Sequence, residues 1–517
     1  MLNVAANLQR TAKVFPTKIA VQFMDKAINY AQLNGAANQI ANGLRAKGIG
    51  KGDKVVLACP NLPYFPMVYY AILKVGAVVV PINVLLKAPE IAYHIADSEA
   101  KAVFCFEGSP DLPLGQEGWK GFQDAGTCKN FFMITADPTK PAAIEGVPTL
   151  GSLMAGQSPA GDYELTSETD TAVILYTSGT TGKPKGAELS HSNISMNLSL
   201  SNVLLKADGN DVHLITLPLF HSFGQVVQMN SAIQAGATMV LLARFDPDAA
   251  FSLMEKHNVT VFAGVPTMYI AMLNLPGAAE RYDMAKIAKN LRASASGGAA
   301  MPVEVMRAFE AKFGVAIQEG FGLSETSPVA TFSFLDNDRV PGSVGRPLWG
   351  VDVRCVDDNG QDVPTGETGE IVIRGHNVMK GYYNRPEATA EAIRNGWFHS
   401  GDIGKFDENG NLFIVDRLKD MIIRGGFNIY PRELEEVLMG HPAVAQVAVI
   451  GVPHDVHGEE VKAVITLKPG QETTVEAIGE WCKERMASYK YPRIIEIRQA
   501  LPMTATGKIL KRELRNA

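Results

Sequence analysis

The sequence predicts an α/β protein with a large N-terminal part and a small C-terminal α+β domain. Three observations lead to this prediction. Short apolar runs alternate with helix-like segments through the first part of the chain, as in layers of parallel sheet. The chain becomes strand-rich from Val351 onward, as in a small β-barrel, and strands and helices alternate again after Lys419. With 517 residues, the chain also exceeds one compact domain.

The first elements follow from local signals. Asn29 is placed to cap a helix over residues 30–47, which Gly48 would end, and a further helix is expected to end near Lys74. Three apolar runs predict strands, at residues 54–59, 77–83 and 100–106. Strand–helix–strand alternation predicts a parallel sheet covered by helices. Residues 107–165 are rich in Gly, Pro and Ser and are predicted to be variable surface.

The most informative stretch is YTSGTTGKPKG at residues 176–186, directly after the apolar run 171–176. Its glycines let several backbone N–H groups point into one concavity, while its hydroxyls and lysines add donors and positive charge. Such a loop suits a phosphate group. The candidate residues are Thr177, Ser178, Gly179, Thr180, Thr181, Gly182, Lys183 and Lys185. A helix over residues 193–205, capped by Ser192, is predicted to follow.

Two alternatives for this loop carry less weight. The common NTPase loop needs four residues between its glycines, whereas two separate Gly179 from Gly182, and Pro184 interrupts the helix that should follow. A flexible surface turn would not require so many glycines, hydroxyls and lysines.

Two later segments are candidates for pocket walls. Residues 213–224 read HLITLPLFHSFG and predict a strand that ends near His221. Residues 292–302 read RASASGGAAMP and predict a strand that ends in Gly297 and Gly298, where a flat ring can approach closely. A histidine in an apolar setting is more often an ordinary core residue, and a glycine pair can be a plain turn.

Two further segments carry polar groups at the ends of predicted strands. Residues 317–328 read IQEGFGLSETSP. Residues 396–420 place Asp402 in a strand-like stretch and Arg417 after a turn and a second strand. A carboxylate such as that of Asp402 can accept two hydrogen bonds from a diol. A turn or capping role is the alternative for this residue.

The tail completes the pattern. Gly425 and Gly426 precede a helix predicted to begin at Pro431, and residues 501–514 read LPMTATGKILKREL. Lys508 follows a tight glycine turn in that last segment. A lysine in a tail is normally solvated, so its significance depends on the motifs before it.

In this order the motifs resemble the adenylate-forming superfamily, which comprises acyl-CoA synthetases, firefly-type luciferases and peptide-synthetase adenylation domains. The pattern is most similar to that of fatty-acyl-CoA synthetases and covers nearly the whole chain. The resemblance implies an N-terminal adenylation domain over residues 1–418, which binds ATP and the acyl group. It also implies a mobile lid over residues 419–517 that turns at Lys419.

The resemblance further implies roles for the candidate residues. Lys508, Glu325 and His221 would be catalytic, with His221 lining the acyl pocket. ATP or AMP would contact Thr177, Ser178, Gly179, Thr180, Thr181, Gly182, Lys183, Lys185, Gly297, Gly298, Phe321, Gly322, Ser324, Asp402 and Arg417. Gly425 and Gly426 would face coenzyme A.

The superfamily pattern also predicts a metal and some tuning of the nucleotide site. Thr177 and Glu325 would hold Mg²⁺, since hard oxygen ligands suit that ion. The chain has Phe321 and Ser324 where the superfamily has Tyr and Thr. Because the ring and the hydroxyl are kept, we expect altered affinity and not loss of function.

The implied reaction is that of an ATP-dependent acid–thiol ligase. A carboxylic acid, favoured here as a medium- or long-chain fatty acid, would become an acyl-AMP with release of pyrophosphate and then pass to coenzyme A. The alternatives are an aryl-acid ligase of the benzoate or coumarate type and an enzyme that loads a separate carrier protein. A luciferase-like oxygenase is less favoured, and the intact polar motifs argue against a silent nucleotide-binding protein.

Composition sets outer limits on function. The net charge of −6 and the pI of about 6.0 give no basic footprint for nucleic acid. Five scattered cysteines and the absence of an apolar leader lead us to expect a cytoplasmic enzyme. The most apolar region, residues 67–86, is too interrupted for a membrane span. His454, His457 and Glu459 lack a metal-ligand framework, and the sequence leaves a homodimer open.

Overall fold

A computed structural model describes residues 1–177, 183–334 and 339–515. The strands of the body are β1 Ile19–Phe23, β2 Lys26–Asn29, β3 Lys54–Ala58, β4 Val78–Pro81, β5 Ala102–Phe106, β6 Asn130–Ile134, β7 Thr171–Thr177, β8 Lys185–Ser190, β9 Val212–Ile215, β10 Thr238–Leu241, β11 Val261–Gly264, β12 Ala293–Ser296, β13 Ile317–Gly322, β14 Val329–Phe332 and β15 Arg346–Pro347.

The body also contains helices, which cover its sheets. They are α1 Ala5–Val14, α2 Tyr30–Ala46, α3 Tyr64–Lys74, α4 Ala88–Asp97, α5 Leu114–Ala125, α6 Leu150–Met154, α7 His191–Leu204, α8 Ser231–Ala235, α9 Pro247–His257, α10 Pro266–Leu273, α11 Ala278–Arg281, α12 Met284–Asn290 and α13 Val303–Phe313. A π-helix spans Phe223–Asn230 and a 3₁₀ turn spans Ser324–Thr326.

Beyond these elements lies a second group of strands with one helix. They are β16 Val351–Val356, β17 Gly369–Gly375, β18 Gly381–Tyr382, α14 Pro386–Ala392, β19 Ile393–Arg394, β20 Trp397–Phe406 and β21 Leu412–Arg417. The C-terminal elements, called the lid below, are β22 Ile422–Arg424, β23 Phe427–Ile429, α15 Pro431–Met439, β24 Val444–His454, β25 Gly458–Leu467, α16 Val475–Arg485, β26 Ile494–Ile497 and α17 Lys511–Arg515.

Two mainly parallel sheets form the body and confirm the predicted fold class. One has the strand order β15-β14-β13-β12-β11-β9-β10-β1-β2, and the other has the order β18-β8-β7-β4-β3-β5-β6. Their central strands are buried on both faces, as expected for parallel sheets that helices cover. The strand-rich region that follows forms an antiparallel sheet with the path β16-β17-β20-β19, and β21 pairs with β20.

Local signals explain why the early elements form where they do. Asn29 caps α2 through a reciprocal capping box with Gln32. Gly48 then takes a left-handed φ of 73°, which a residue with a Cβ rarely adopts. The predicted helix over residues 30–47 is thus confirmed within one residue at its end.

Three sequence predictions were wrong. The strand predicted to end near His221 ends at Ile215, and a π-helix begins at Phe223. The cap of α7 is Ser190 and not Ser192, because the Ser190 side chain accepts from Asn193 N–H while the Asn193 side chain accepts from Ser190 N–H. Residues 107–165 are not merely variable surface, since they supply α5, α6 and the buried strand β6. Their glycines misled the prediction: Gly118 and Gly121 of α5 are buried against neighbouring side chains.

The contact between β13 and β14 is unusually close. A Cβ on Gly322 would lie 1.8 Å from the Pro328 carbonyl oxygen, and one on Gly320 would lie 2.7 Å from Phe332 Cδ2. Both positions therefore need glycine for packing reasons. The close pairing holds the segment that carries Glu325 against the sheet.

The lid has a sheet and a hydrophobic core of its own. Its strands follow the path β23-β22-β25-β24, with β26 beside β25. The core residues include Ile422, Leu434, Val449, Ile465 and Ile478. Helices α15 and α16 pack over this sheet.

Other properties of the chain bear on its environment. In the described part of the chain, no helix combines the length and the apolar character needed to cross a bilayer. All five cysteines are buried and unbridged.

Candidate active site

The last motif of the chain reaches into the body. The Gly507 carbonyl accepts a hydrogen bond from Thr267 Oγ1 at 2.9 Å. Gly507 has a φ of 79°, and the Thr504 N–H donates to the Lys508 carbonyl at 2.7 Å, which closes a tight turn. The Lys508 side chain then passes Gly298, where an added Cβ would lie 3.3 Å from Lys508 Cε. The structure thus brings the terminal lysine to a predicted nucleotide-binding loop.

The Lys508 ammonium group lies in the field of three other candidate residues. Burial and the Arg417 guanidinium lower the pKa of Lys508 to about 8, although the carboxylates of Asp402 and Glu325 act in the opposite direction. These residues come from β21, β20 and the 3₁₀ turn, respectively. The fold therefore gathers charged groups from distant motifs around one cation.

Strand pairing fixes Asp402 beside Arg417. The two residues lie directly opposite each other on β20 and β21, and Arg417 Nε is 3.2 Å from Asp402 Oδ1. Asp402 is only 5% exposed, whereas Arg417 is half exposed. Burial raises the pKa of Asp402, with Arg417 and Lys508 opposing the rise. This buried position disfavours the simple turn role for Asp402.

Hydrogen bonds fix both the main chain and the side chain of Glu325. Its carbonyl accepts from Met379 N–H at 2.8 Å, and its Oε1 accepts from the Tyr382 hydroxyl at 2.9 Å. The 3₁₀ turn around it is closed by Leu323 N–H donating to Thr326 Oγ1 at 2.9 Å. Because Glu325 is 8% exposed, its carboxylate has a defined orientation.

Three neighbouring parallel strands end at the same edge of the sheet and form a wall of the site. β11, β12 and β13 are neighbours, so the residues after them lie together, as is typical of ligand sites in α/β sheets. Gly297 is hemmed in, because an added Cβ would lie 3.2 Å from the Phe223 ring and 3.3 Å from the Gly320 carbonyl. Phe321 packs half-buried against the core, and Ser324 begins the 3₁₀ turn.

Both flanks of the threonine-rich loop are anchored. Thr177 pairs with Lys185 across β7 and β8. Lys183 Nζ lies 5.2 Å from the centre of the Tyr93 ring, and Lys185 Nζ lies 5.1 Å from that of Tyr382. The predicted phosphate contacts Ser178, Gly179, Thr180, Thr181 and Gly182 lie outside the described residues.

His221 lies near the lysine but does not carry a charge. Its backbone N–H donates to the Pro218 carbonyl at 3.0 Å, and its ring Nδ1 accepts from the Phe223 backbone N–H at 3.4 Å. Burial and the Lys508 charge lower the pKa of His221 to about 3. The ring is therefore a neutral wall of the site at physiological pH.

Lys419 borders this cluster, since it interacts electrostatically with Arg417 and Asp402, whereas the predicted glycine pair does not join it. Lys419 is exposed in the turn in which Asp420 N–H donates to the Arg417 carbonyl at 3.0 Å. Gly425 and Gly426 are exposed at the tip of the β22–β23 hairpin, where Gly425 N–H donates to the His457 carbonyl at 2.9 Å. The structure does not join these glycines to the Lys508 cluster.

Sequence reasoning missed two residues near the site. Tyr382 touches Glu325 and Lys185, but its short strand lies between longer elements and was not singled out. Glu319 is 2% exposed, and burial raises its pKa to about 7. The signal available for Glu319 was its place in a strand that ends in the Phe321 motif, where a buried carboxylate is unusual.

Comparisons with known proteins show the family of the chain. Residues 8–383 match the AMP-binding enzyme family, and residues 433–508 match its C-terminal domain. A long-chain-fatty-acid–CoA ligase of Bacillus subtilis (strain 168) is 36% identical over 525 residues, covering 98% of this chain and 93% of the relative. A feruloyl-CoA synthase of Amycolatopsis sp is 38% identical over 515 residues, covering 98% of this chain and 97% of the relative.

A solved structure is similar over its whole length. The anthranilate CoA ligase AuaEII in complex with anthranoyl-AMP has a TM-score of 0.92 and 29% identity, with 99% of this chain and 96% of that chain covered.

A mainly parallel α/β body is followed by a C-terminal domain whose Lys508 lies in the field of the buried carboxylates of Asp402 and Glu325. The chain belongs to the AMP-binding enzyme family. Its relatives make it an acyl-CoA synthetase, an enzyme that uses ATP to join an acyl group to coenzyme A.

Proposed function

We propose that this synthetase works in two steps on one carboxyl group. A carboxylate oxygen of the acid bonds to the α-phosphorus of ATP, and the bond to the bridging oxygen breaks, so that pyrophosphate leaves. The sulfur of coenzyme A then bonds to the acyl carbon, its proton is released, and AMP leaves. The observation that carries the proposal is the Lys508 ammonium in the field of Asp402, Glu325 and Arg417.

Lys508 would assist the first step through its positive charge. An acid and a triphosphate are both anions, and two unit charges 4 Å apart repel by about 4 kcal/mol at an effective dielectric constant near 20. A fixed ammonium group offsets this repulsion where negative charge develops in the transition state. The Gly298 backbone leaves room for the lysine stem, which supports this placement.

The residues near Glu325 fit a magnesium ion that arrives with ATP. Mg²⁺ is usually held by one or two carboxylates together with substrate phosphates. Thr177 and Glu325 supply a hydroxyl and a carboxylate, whereas no three His, Cys, Asp or Glu side chains group as metal ligands within residues 1–177, 183–334 and 339–515. When bound, the ion would neutralise charge on the departing phosphates.

The other candidates would hold the rest of the nucleotide. Asp402 would accept hydrogen bonds from both ribose hydroxyls, and Arg417 would contact ribose and phosphate. Phe321 would stack on adenine, and Gly297, whose missing Cβ leaves space beside the Phe223 ring and the Gly320 carbonyl, would line the same pocket. Gly298, Gly322 and Ser324 would complete this pocket, and residues 177–185 would surround the phosphates.

We propose that residues 1–418 form the adenylation domain and residues 419–517 the mobile lid, with its hinge at Lys419. The exposed position of Lys419 between β21 and β22 supports a hinge there. In the second step the lid would withdraw Lys508 and bring Gly425 and Gly426 to the site. These glycines leave space for the narrow arm of coenzyme A.

The acyl group is proposed to be a medium- or long-chain fatty acid. The identity of 36% with a long-chain-fatty-acid–CoA ligase supports this choice. The π-helix after His221 also presents apolar side chains, among them Phe223, Val226 and Val227.

An aryl acid is the second candidate, and one observation favours it. Gln228 Oε1, on the same π-helix, is buried without a hydrogen-bond partner among the described residues. The Gln228 amide group is fixed by its Nε2, which donates to the Leu214 and Ala263 carbonyls at 3.2 and 3.3 Å. A phenol could donate to the free oxygen, whereas an alkyl chain would leave it unpaired. The feruloyl-CoA synthase relative agrees with this alternative.

Separate half-reaction assays test the proposed mechanism. Lys508→Ala should lower acid-dependent pyrophosphate release by at least about a hundredfold, the scale of losing one preorganised charge contact. It should spare thioester formation from supplied acyl-AMP. Lys405→Ala, which removes an exposed lysine of β20, should leave both steps unchanged. Equal loss of both steps in the Lys508 variant would refute the assigned role.

The acyl class is tested by pyrophosphate release with octanoate, palmitate, benzoate, cinnamate and ferulate. The fatty-acid proposal expects the two alkyl acids to give the highest kcat/KM. The aryl alternative replaces the fatty-acid proposal if two results are obtained. The kcat/KM for ferulate must exceed the values for both alkyl acids, and Gln228→Leu must lower kcat/KM for ferulate but not for cinnamate.

A further inference from the structure

Tyr382 joins two parts of the proposed phosphate site. Its hydroxyl donates to Glu325 Oε1 at 2.9 Å. The Lys185 ammonium lies 5.1 Å from the centre of its ring, within the range of a cation–π contact. One side chain therefore contacts both the carboxylate of the 3₁₀ turn and the lysine at the exit of the threonine-rich loop.

The backbone around Tyr382 is tied down on both sides. Tyr382 pairs with Ala187 of β8, and its N–H donates to Thr389 Oγ1 at 2.9 Å. The next residue, Tyr383, donates its N–H to the Gly186 carbonyl at 2.8 Å. Because β8 begins at the loop exit, the position of the Tyr382 ring is set by the same strand that carries Lys185.

The hydrogen bond also has the right chemistry to orient a carboxylate. A phenol has an ordinary pKa near 10, so it is a donor at physiological pH. A bond to one carboxylate oxygen fixes the plane of the group and leaves lone pairs for a cation. Partners of this kind behind a metal ligand commonly affect metal affinity by about 10- to 100-fold.

We propose that Tyr382 is a positioning residue that orients the Glu325 carboxylate toward the cation of the ATP complex and couples it to Lys185. The inference rests on the proposed function, in which Glu325 holds magnesium. A purely structural bond that satisfies a buried carboxylate is the competing explanation, and it predicts a change in stability without a change in cation affinity.

The test is the binding of Mn²⁺ to the enzyme with a non-hydrolysable ATP analogue, followed by the electron paramagnetic resonance signal of free Mn²⁺. Tyr382→Phe keeps the ring under Lys185 and removes only the hydroxyl. We expect it to weaken Mn²⁺ binding about tenfold, while affinity for the analogue without metal stays at the wild-type value.

The neighbouring tyrosine supplies a matched control. Tyr383 donates its hydroxyl to Glu99 at 2.7 Å. Tyr383→Phe therefore also removes a phenol–carboxylate bond from the same segment, but it should keep wild-type Mn²⁺ affinity. Tyr382→Leu, which also removes the ring, should additionally weaken metal-free binding of the analogue.

A third variant separates failure of this inference from failure of the proposed function. If Glu325→Gln weakens Mn²⁺ binding and Tyr382→Phe does not, Tyr382 has no positioning role and the inference is overturned. If neither variant changes Mn²⁺ binding, the assignment of Glu325 to the metal fails as well. Thermal unfolding of each variant identifies any general loss of folding.

Discussion

The site lowers the pKa values of two ionisable groups, Lys508 and His221. Burial lowers the pKa of Lys508 to about 8 and that of His221 to about 3. Between these values Lys508 is charged and His221 is neutral. Lys508 therefore acts as a cation beside Arg417, and the imidazole adds no further charge and does not act as an acid.

The pKa of Lys508 leads to a pH prediction. A lysine is cationic below its pKa, so its charge is lost as pH rises through about 8. We expect kcat/KM for acyl-adenylate formation, which reports ionisations of the free enzyme, to fall as pH rises through that value. Pyrophosphate release between pH 6.5 and 9.5 measures the profile.

Lys508→Arg serves as the control for this profile. A guanidinium stays charged throughout the range. The variant should be slower than the wild type, but its kcat/KM should not fall near pH 8. A wild-type profile that stays flat to pH 9.5, or an unchanged fall in the arginine variant, would assign the ionisation to another group.

At the scale of elements, the site depends on how closely β13 approaches the segment after the 3₁₀ turn. That approach is possible because residues 320 and 322 are glycines, whose missing Cβ atoms leave room for Phe332 and for the Pro328 carbonyl. The same contact sets the position of Glu325 relative to the end of β13. Packing between two strands thus decides where a carboxylate points.

Gly322→Ala should strongly destabilise the body, because its Cβ would lie 1.8 Å from a backbone oxygen that cannot move alone. We expect a loss of about 2 kcal/mol or more in the free energy of unfolding, the usual scale for overpacking. Scanning calorimetry would show this as a lower midpoint for the transition of the body.

Gly50→Ala is the matched substitution, because an added Cβ there would meet no described atom within 4 Å. Its midpoint should stay within about 1 °C of wild type, as for most surface changes. Equal midpoints for the Gly322 and Gly50 variants would contradict the close contact between β13 and the Pro328 segment.

At the scale of the whole molecule, helix α15 of the lid contacts the rest of the protein. Arg432 N–H donates to Asp416 Oδ2 at 2.9 Å, and its guanidinium donates to the Ile414 carbonyl. Arg432 also lowers the pKa of the buried Glu319, which burial raises to about 7. Glu436 of the same helix accepts from the N–H of a body helix at 3.5 Å. These contacts occur in the structure in which Lys508 reaches the site.

Arg432→Ala should therefore slow the first step selectively. We expect acyl-adenylate formation to fall about tenfold, the scale of one charged hydrogen bond, while thioester formation from supplied acyl-AMP is kept. Single-turnover measurements of both steps would show the difference. Arg485→Ala, which removes a lid arginine stacked on Trp481, should affect neither step. A loss of equal size in both steps would mean that α15 has no preference for this lid position.

Much of the fold and of the candidate site was predictable from local sequence. The capping box at Asn29 specifies the start of α2, and apolar runs specify the buried strands, because these signals act between residues close in the chain. The cap of α7 was misplaced by two residues, since Ser190 and Ser192 are both good caps and only the reciprocal bond with Asn193 selects one.

Tyr382 and Glu319 could not be found in this way. Tyr382 lies in a strand of two residues, too short for a periodic pattern, and its importance comes from contacts with Glu325 and Lys185 that lie far away in the chain. Glu319 looks like an ordinary polar residue of β13 until tertiary packing buries it.

The sequence by itself determined the chemical groups of this protein, its fold class and its family, because each motif is a short run whose residue types and spacing carry the information. Only the tertiary structure decided that Asp402, Glu325 and Arg417 share the field of one lysine, with a neutral His221 beside it. The physical reason is that electrostatic interactions and burial depend on distances in space, and contacts between remote strands and the seat of the lid set those distances.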